Sequence, residues 1–277
     1  MSARRAAFSA ALTAATAIVI AFLLLPVVAI FVDVPPGRLL DGLRSDAAGD
    51  ALRVTLKTNL IALGLILLIG TPAAYQLARR QFRGRAFVIT LVELPLVLPP
   101  AVAGVGLLAA FGTLGLLGGT IDAFGLSIAF TQTAVVMAVA FVASPFYIRT
   151  AIAAFEAVDP ALLDAARTLG AGPARVFARV ALPLAASGLG AGAALAFARG
   201  VGEFGATIMF AGSLRGVTQT LSLAIYELFD VDFDAALAVS ALLVVVSGTL
   251  LLVAKLLPTW TRSPSTFLSG SVRSTSS

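Results

Sequence analysis

The sequence predicts an all-α, polytopic membrane protein, and three observations carry that prediction. Mean hydropathy is +1.02, 59% of the residues are hydrophobic and only 12% are charged. A soluble domain of 277 residues needs far more polar surface than this composition supplies. Apolar runs long enough to cross about 30 Å of hydrocarbon recur along the chain. They predict about six transmembrane helices, at roughly 11–32, 54–78, 86–111, 131–150, 184–211 and 235–257.

The basic residues are distributed unevenly between the two sides of the predicted membrane. One side carries 13 Lys and Arg residues and the other carries 5, while Arg199 lies inside a span. Because cytoplasmic loops retain Lys and Arg, both termini and the 151–183 loop are predicted to be cytoplasmic. The loops 33–50, 112–130 and 212–234 are then external, and nine acidic residues fall on that side. The net charge of +5 is therefore a topology signal and not a sign of nucleic-acid binding.

The chain lacks the residues for several kinds of chemistry. It contains no His and no Cys, which excludes disulfides, thiol chemistry, imidazole metal sites and Ser-His triads. A membrane-embedded enzyme is disfavoured for the same reason. The sequence also lacks G-x-x-x-x-G-K-[ST], and its only lysines, Lys57 and Lys255, follow Leu56 and Ala254. No catalytic, cofactor or metal site is predicted, so any ATP must be bound by another subunit.

The chain is predicted to form one membrane domain, residues 1–262, followed by a Ser/Thr-rich, disordered tail at 263–277. The first apolar run is too long for a signal peptide, so it is predicted to be an uncleaved span. The external segment 33–50 is rich in Asp, Gly and Pro and is predicted to have little structure. The Gly-rich segment 112–130 is predicted to be a re-entrant or interfacial loop.

Span 3 contains three prolines within six residues, Pro95, Pro99 and Pro100. They remove backbone donors and must bend or break the helix. In lipid, such a break is tolerated only where protein or a water-filled cavity covers it. Pro99 and Pro100 are therefore candidate pathway residues, and a purely structural kink is an equally good explanation of the spacing.

Span 5 carries charged residues inside the membrane. Arg199, Glu203 and Thr207 are spaced i, i+4 and i+8, so a continuous helix places them on one face. Ionisable residues in spans are costly and usually face a bundle interior or a cavity. The three residues are candidates for the pathway or its gate, and the alternative is that the pair only stabilises the bundle. Gly188 and Gly192 in the same span predict close helix packing.

A polar insert at 159–183 interrupts the apolar sequence. Asp159 is predicted to cap a helix that has Pro160 at its first position. Gly170 and Gly172 end that helix, and Pro173 begins a second one. Leu162, Ala166 and Leu169 are predicted to share one face of the first helix. An ordinary amphipathic helix on the membrane surface is the alternative, but it explains neither the second helix nor the Leu-Pro that leads into the next span.

The insert resembles the EAA loop of ABC importer permeases, the cytoplasmic element that docks into an ATPase subunit. The matching residues are Asp164, Ala165, Ala166, Gly170, Leu182 and Pro183. Asp164 stands where the family usually has Glu, and this difference keeps the carboxylate. The resemblance implies the ABC importer permease fold, with ATP and Mg²⁺ held by the separate ATPase subunits. It also implies a location in the cytoplasmic membrane of a prokaryote.

Other segments resemble the molybdate-type permeases of the sulfate/molybdate/tungstate importer group. They are PLVLPP (95–100), FGTLGLLG (111–118), LAFARGVGEFGATIMFAG (195–212) and GVTQTLSLAIYELF (216–229). This resemblance implies a homodimeric permease with two ATPase subunits and an external oxyanion-binding protein, working by alternating access. Molybdate is the expected substrate, and tungstate and sulfate stay open because all three are tetrahedral dianions. A stand-alone secondary transporter is a further alternative, with few intramembrane charges to support it.

Overall fold

The computed structural model describes residues 2–33 and 36–256, and within these ranges the chain is helical and contains no strand. A short π-helical segment, Phe177–Ala181, joins α9 to α10. The helices are α1 (Ser2–Val32), α2 (Pro36–Arg44), α3 (Asp46–Arg79), α4 (Arg85–Val97), α5 (Pro100–Phe111), α6 (Gly118–Ala123), α7 (Gln132–Glu156), α8 (Pro160–Thr168), α9 (Pro173–Val176), α10 (Leu182–Val201), α11 (Gly205–Ala211), α12 (Leu221–Phe229) and α13 (Phe233–Leu256).

Six membrane crossings are present if the bent pair α4 and α5 counts as one. Five helical stretches of the described chain are long and apolar enough to span a bilayer: α1, α3, α7, the continuous Pro173–Val201 and α13. Helices α4 and α5 meet at an angle of 112°. The prediction of about six spans is therefore confirmed, and so is the prediction that the prolines break span 3.

The centre of the bundle is formed by α3, α7 and α10, which pack against one another along much of their length. Small residues bring α10 close to α7. A Cβ atom on Gly188 would stand 2.5 Å from Ala154 Cβ, and one on Gly192 would stand 3.0 Å from Thr150 Cβ. The close packing predicted from these two glycines is confirmed.

Helix α1 lies at the periphery. It contacts α13, and its described side chains are almost all exposed in the isolated chain. Exposed apolar side chains along a span have lipid or another protein as their natural surroundings. Helix α1 therefore adds a crossing without adding to the core.

The two ends of the bundle differ in charge. At the basic end, α3 finishes at Arg79 and α4 starts at Arg85. At the acidic end, α2 lies beside α13, and Ala48 and Ala51 of α3 share a buried cluster with Val239 of α13. A Cβ atom on Gly42 would stand 2.6 Å from Ala238 Cβ, which shows how closely α2 approaches α13.

The prediction that 33–50 has little structure is wrong. Residues 36–44 form α2 and residues 46–50 begin α3, with Ser45 between the two helices. Ser45 caps α3, because its Oγ accepts a hydrogen bond of 3.2 Å from the N–H of Ala48. Most of the Asp and Gly residues that suggested a loop lie in α2, which packs on α13, and in the first turn of α3. Within 112–130 the structure places the short helix α6. The predicted tail at 263–277 lies outside the described residues.

Candidate functional site

The polar insert folds as the predicted two-helix element. Asp159 Oδ1 accepts a hydrogen bond of 2.9 Å from the N–H of Ala161 at the start of α8. Helix α8 ends where Gly170 adopts a φ of +82°, in the left-handed region that favours glycine. The chain then leaves α8 and begins α9 at Pro173.

The end of α8 is a Schellman motif. The Gly170 N–H donates to the Arg167 carbonyl at 2.9 Å, and the Ala171 N–H donates to the Ala166 carbonyl at 3.0 Å. These two bonds satisfy carbonyl groups that a helix end would otherwise leave free. This motif needs a residue with a positive φ at position 170, which explains why a glycine stands there.

The face predicted for α8 is not the face that the structure buries. Leu163 is 2% exposed and anchors the helix, whereas Leu162 is 49% exposed and Leu169 is 88% exposed. Ala166 is half-buried and packs against the core. Leu162 and Leu163 precede Ala166 by four and three residues, and either spacing places a leucine on the face of Ala166. The pattern of this nine-residue helix therefore could not show which of the two leucines is buried. As a result, Leu162 and Leu169 are exposed apolar side chains of the polar insert.

The carboxylate of the insert lies on the surface. Asp164 Oδ1 and Arg167 Nη1 form an ion pair of 2.7 Å between largely exposed side chains. Such a pair contributes little to stability. Ala165 is exposed beside it. Asp164 and Ala165 are therefore free to contact another molecule.

Leu182 and Pro183, the predicted exit from the insert, lie inside one continuous helical stretch that starts at Pro173. The Pro183 ring would clash with the carbonyl four residues earlier in an α-helix. The π segment just before it widens the turn, and the Leu182 N–H donates to the Phe177 carbonyl five residues back. The Leu-Pro pair thus sets a π-bulge where the polar insert enters the membrane.

An anchor that the sequence pattern did not reveal ties this insert to the bundle. Arg79 Nη2 donates to the carbonyl of Phe155 at 2.6 Å and to that of Val158 at 2.8 Å. The Phe155 carbonyl belongs to the last turn of α7 and the Val158 carbonyl lies just after it, and a cation is favourable at a helix C-terminus. Next to them, the ring of Tyr75 contacts the rings of Phe155 and Phe177. Helices α3, α7 and the π segment are therefore joined directly beside the polar insert.

The second candidate region is the charged part of span 5. Arg199 Nη2 and Glu203 Oε2 form an ion pair of 2.7 Å, so the predicted bridge between them is present. The Glu203 side chain is 1% exposed and that of Arg199 is 28% exposed. Glu203 Oε1 also accepts a hydrogen bond of 2.8 Å from the N–H of Ala206. One buried carboxylate therefore neutralises Arg199 and caps the following helix.

The prediction of a continuous helix over 184–211 is wrong, and with it the shared face for Thr207. Helix α10 ends at Val201, and α11 starts at Gly205. The i, i+8 relation between Arg199 and Thr207 needs an unbroken helix, so it does not hold. Glycines near the break weaken the helix, and the Glu203 cap stabilises the new start. Thr207 is fully buried on α11.

The break in span 5 lies against the break in span 3. A Cβ atom on Gly205 would stand 2.7 Å from Pro100 Cβ, and one on Gly104 would stand 2.6 Å from the Ala206 carbonyl oxygen. Pro99 precedes this contact as the residue at the bend, and both prolines are exposed in the isolated chain. The structure therefore brings Pro100, Glu203 and Thr207 into one region, which sequence spacing alone did not show.

These features define a polytopic helical membrane protein with two broken spans that meet and a tethered polar insert at its basic end. Residues 66–259 match the family described as binding-protein-dependent transport system inner membrane component. The chain belongs to this family.

Two relatives agree with that assignment, and a solved structure has a similar fold. The molybdenum transport system permease protein ModB of Mycobacterium tuberculosis is 45% identical over 240 residues, covering 84% of this chain and 88% of that protein. ModB of Escherichia coli K12 is 38% identical over 217 residues, covering 78% and 94%. A bacterial alginate ABC transporter, solved with its pentasaccharide-bound periplasmic protein, has a chain with a TM-score of 0.71 at 19% identity, covering 91% and 93%.

Proposed function

We propose that this chain is the transmembrane subunit of an ATP-driven importer for an oxyanion, with molybdate as its substrate. The observation that supports molybdate as the substrate is the 45% identity to a molybdenum permease over most of both chains. Tungstate and sulfate are the alternatives within the same group, because they share the tetrahedral shape and the double negative charge.

The partners follow from the same proposal. ATP and Mg²⁺ are bound by two separate cytoplasmic ATPase subunits, a second copy of this chain completes the pathway, and an external protein delivers the oxyanion. The chain is placed in the cytoplasmic membrane with both termini inside, as the bias of basic residues indicates. On this placement the basic end of the bundle is cytoplasmic, and the polar insert faces the ATPase subunits.

The polar insert is suited to transmit movement. Its apolar residues Leu162 and Leu169 are exposed for docking, and Leu163 fixes α8 to the bundle. The insert continues into α10 through one unbroken helical stretch, Pro173–Val201. A displacement of α8 and α9 by the ATPase is therefore carried along α10 towards Glu203, where the two broken spans meet. Closure and opening there alternate access to the two sides.

Uptake in liposomes tests the proposal. The complete complex, with its ATPase subunits and its binding protein, is reconstituted, and entry of labelled molybdate is measured with and without ATP. ATP-dependent uptake is expected, and competition by tungstate and sulfate ranks the three anions. Uptake that needs a proton or sodium gradient and ignores ATP contradicts the proposal and favours a secondary transporter.

A further inference from the structure

A second ion pair lies inside the membrane-spanning part of the chain. Arg149 counts among the basic residues of the cytoplasmic side in the sequence, and the structure places it within α7. Its Nε lies 3.1 Å from Glu93 Oε1 of α4. Below it, Arg85 and Glu156 pair at 2.5 Å at the basic end of the same two helices. At about 1.5 Å per helical residue, the Arg149–Glu93 pair is about 11 Å further into the bundle.

The arginine of this pair is unusually accessible for its depth. The Arg149 side chain is 62% exposed and that of Glu93 is 33% exposed. An arginine that faces lipid at this depth is costly, so its exposed side is expected to face water or protein. The Arg149 guanidinium has five N–H donors, and Nε is the one that lies against Glu93. The described part of the chain shows no other hydrogen bond from Arg149.

The neighbouring helix α4 is loosely packed in the isolated chain, and its exposed apolar side chains, such as Phe87 and Val97, have lipid or another protein as their natural surroundings. Helix α4 has no buried residue, and Pro95 inside it removes the donor for the carbonyl of Leu91. Free carbonyls at membrane depth need protein or water as a cover. Helix α4 is held to α7 by the two ion pairs, and half-buried Val88 and Ile89 pack against the core of the bundle. Helix α4 is therefore loosely packed, so a competing anion can displace the Glu93 carboxylate from Arg149.

We propose that Arg149 is an oxyanion-binding residue in the inner half of the pathway, with Glu93 as its exchangeable counter-charge. This inference rests on the proposed function for its substrate. A guanidinium binds tetrahedral oxyanions through paired N–H donors, so an arriving dianion competes with Glu93 for Arg149. When the anion leaves, Glu93 neutralises Arg149 again. The competition keeps binding weak enough for release into the cytoplasm.

A cysteine reporter tests binding directly. The chain has no native cysteine, and Ala153 is exposed one helical turn after Arg149. In the complete complex, molybdate should slow the reaction of Ala153→Cys with a water-soluble thiosulfonate. Adding Arg149→Gln should remove that protection. Adding Glu93→Gln instead should lower the molybdate concentration needed for half-maximal protection by about tenfold, which corresponds to one charge-assisted contact. Protection by molybdate that persists unchanged in the Arg149→Gln background overturns the inference.

Uptake assays distinguish anion binding by Arg149 from a structural latch, that is, an Arg149–Glu93 ion pair that only holds α4 to α7. Arg149→Gln should lower uptake at least about tenfold, and the double variant Arg149→Gln with Glu93→Gln should stay equally low. A latch predicts recovery in the double variant, because both charges are gone. Arg85→Gln with Glu156→Gln is the matched control, since it removes the other ion pair between the same two helices. Recovery of uptake in the Arg149 double variant overturns the inference.

The two assays also separate this inference from the proposed function. Normal ATP-driven uptake by the wild type, with no protection of the thiol in Ala153→Cys by molybdate, contradicts the role of Arg149 alone. Protection that depends on Arg149, with no ATP-driven uptake by the wild type, supports the anion site and contradicts the importer.

Discussion

The side-chain oxygen Oδ1 of Asn59 occupies the space that a Cβ atom on Gly200 would need. Asn59 is 2% exposed on α3, and Gly200 is on α10 directly before the break. Val139 of α7 closes the other side, with its Cγ1 2.9 Å from the same Cβ position. Three helices of the core therefore meet at a residue that has no side chain.

Replacing Gly200 with Ala should lower the melting temperature of the purified protein by several degrees. The added methyl group overlaps both Asn59 and Val139, and overpacking of this kind costs about 1–3 kcal/mol. Gly190→Ala is the control on the same helix, because nothing lies within 4 Å of its Cβ position. Gly200→Ala with unchanged thermal stability in detergent would contradict the close contact.

Arg79→Gln should loosen the basic end of the bundle. It removes two charge-assisted hydrogen bonds to the carbonyls of Phe155 and Val158, each of which contributes about 1.5–3 kcal/mol. Arg83→Gln is the control, since Arg83 is exposed in the same turn. Proteolysis of the 159–183 insert should be faster in Arg79→Gln than in the control. Equal cleavage rates would show that Arg79 does not hold the insert in place.

Gly170→Leu should weaken docking of the ATPase and ATP-driven transport while leaving the protein in the membrane. A leucine at a φ of +82° costs about 1–2 kcal/mol and distorts the end of α8. Gly172→Ala is the matched control, because its φ is −66° and its Cβ position is open. Copurification with the ATPase and ATP-driven uptake should both fall in Gly170→Leu alone. A Gly170→Leu protein that binds the ATPase and transports normally rules out this docking role.

Glu203→Gln should destabilise the bundle, because it leaves Arg199 without a counter-charge while the cap on Ala206 survives through the amide oxygen. Breaking a buried pair on one side costs about 3–5 kcal/mol, and the partial exposure of Arg199 reduces this. Glu203→Ala also removes the cap and should be worse. Purified yield and melting temperature report both effects.

The double variant Arg199→Gln with Glu203→Gln separates folding from gating. Both charges are removed together, so the yield should recover. If the break forms part of the gate, uptake should stay low or the liposomes should leak. Full recovery of uptake would reject a gating role for these two residues.

Single cysteines test the sidedness of the bundle. Thr120→Cys on α6 and Arg83→Cys in the basic turn both replace exposed residues. In intact spheroplasts an impermeant thiol reagent should label Thr120→Cys and spare Arg83→Cys until the membrane is opened. The opposite pattern reverses the topology.

The sequence by itself determined the features that depend on local composition and on the peptide backbone. Six spans follow from apolar length, the break in span 3 from Pro95, Pro99 and Pro100, and the two-helix insert from its Asp-Pro start and its two glycines. The Arg199–Glu203 pair follows from the closeness of the two residues in sequence, although α10 ends at Val201, before Glu203. These are local rules, and a few neighbouring residues are enough to apply them.

Tertiary structure decided everything that depends on which surfaces meet. It ended α10 at Val201, because Glu203 caps α11 and Gly205 has no side chain to block the close approach of Pro100. It buried Leu163 where the helical pattern favoured Leu162, and it made 36–44 a helix against α13. It also paired Arg149 with the distant Glu93. Contacts between distant segments choose among conformations that local sequence leaves nearly equal in free energy, so no periodicity along one segment reveals them.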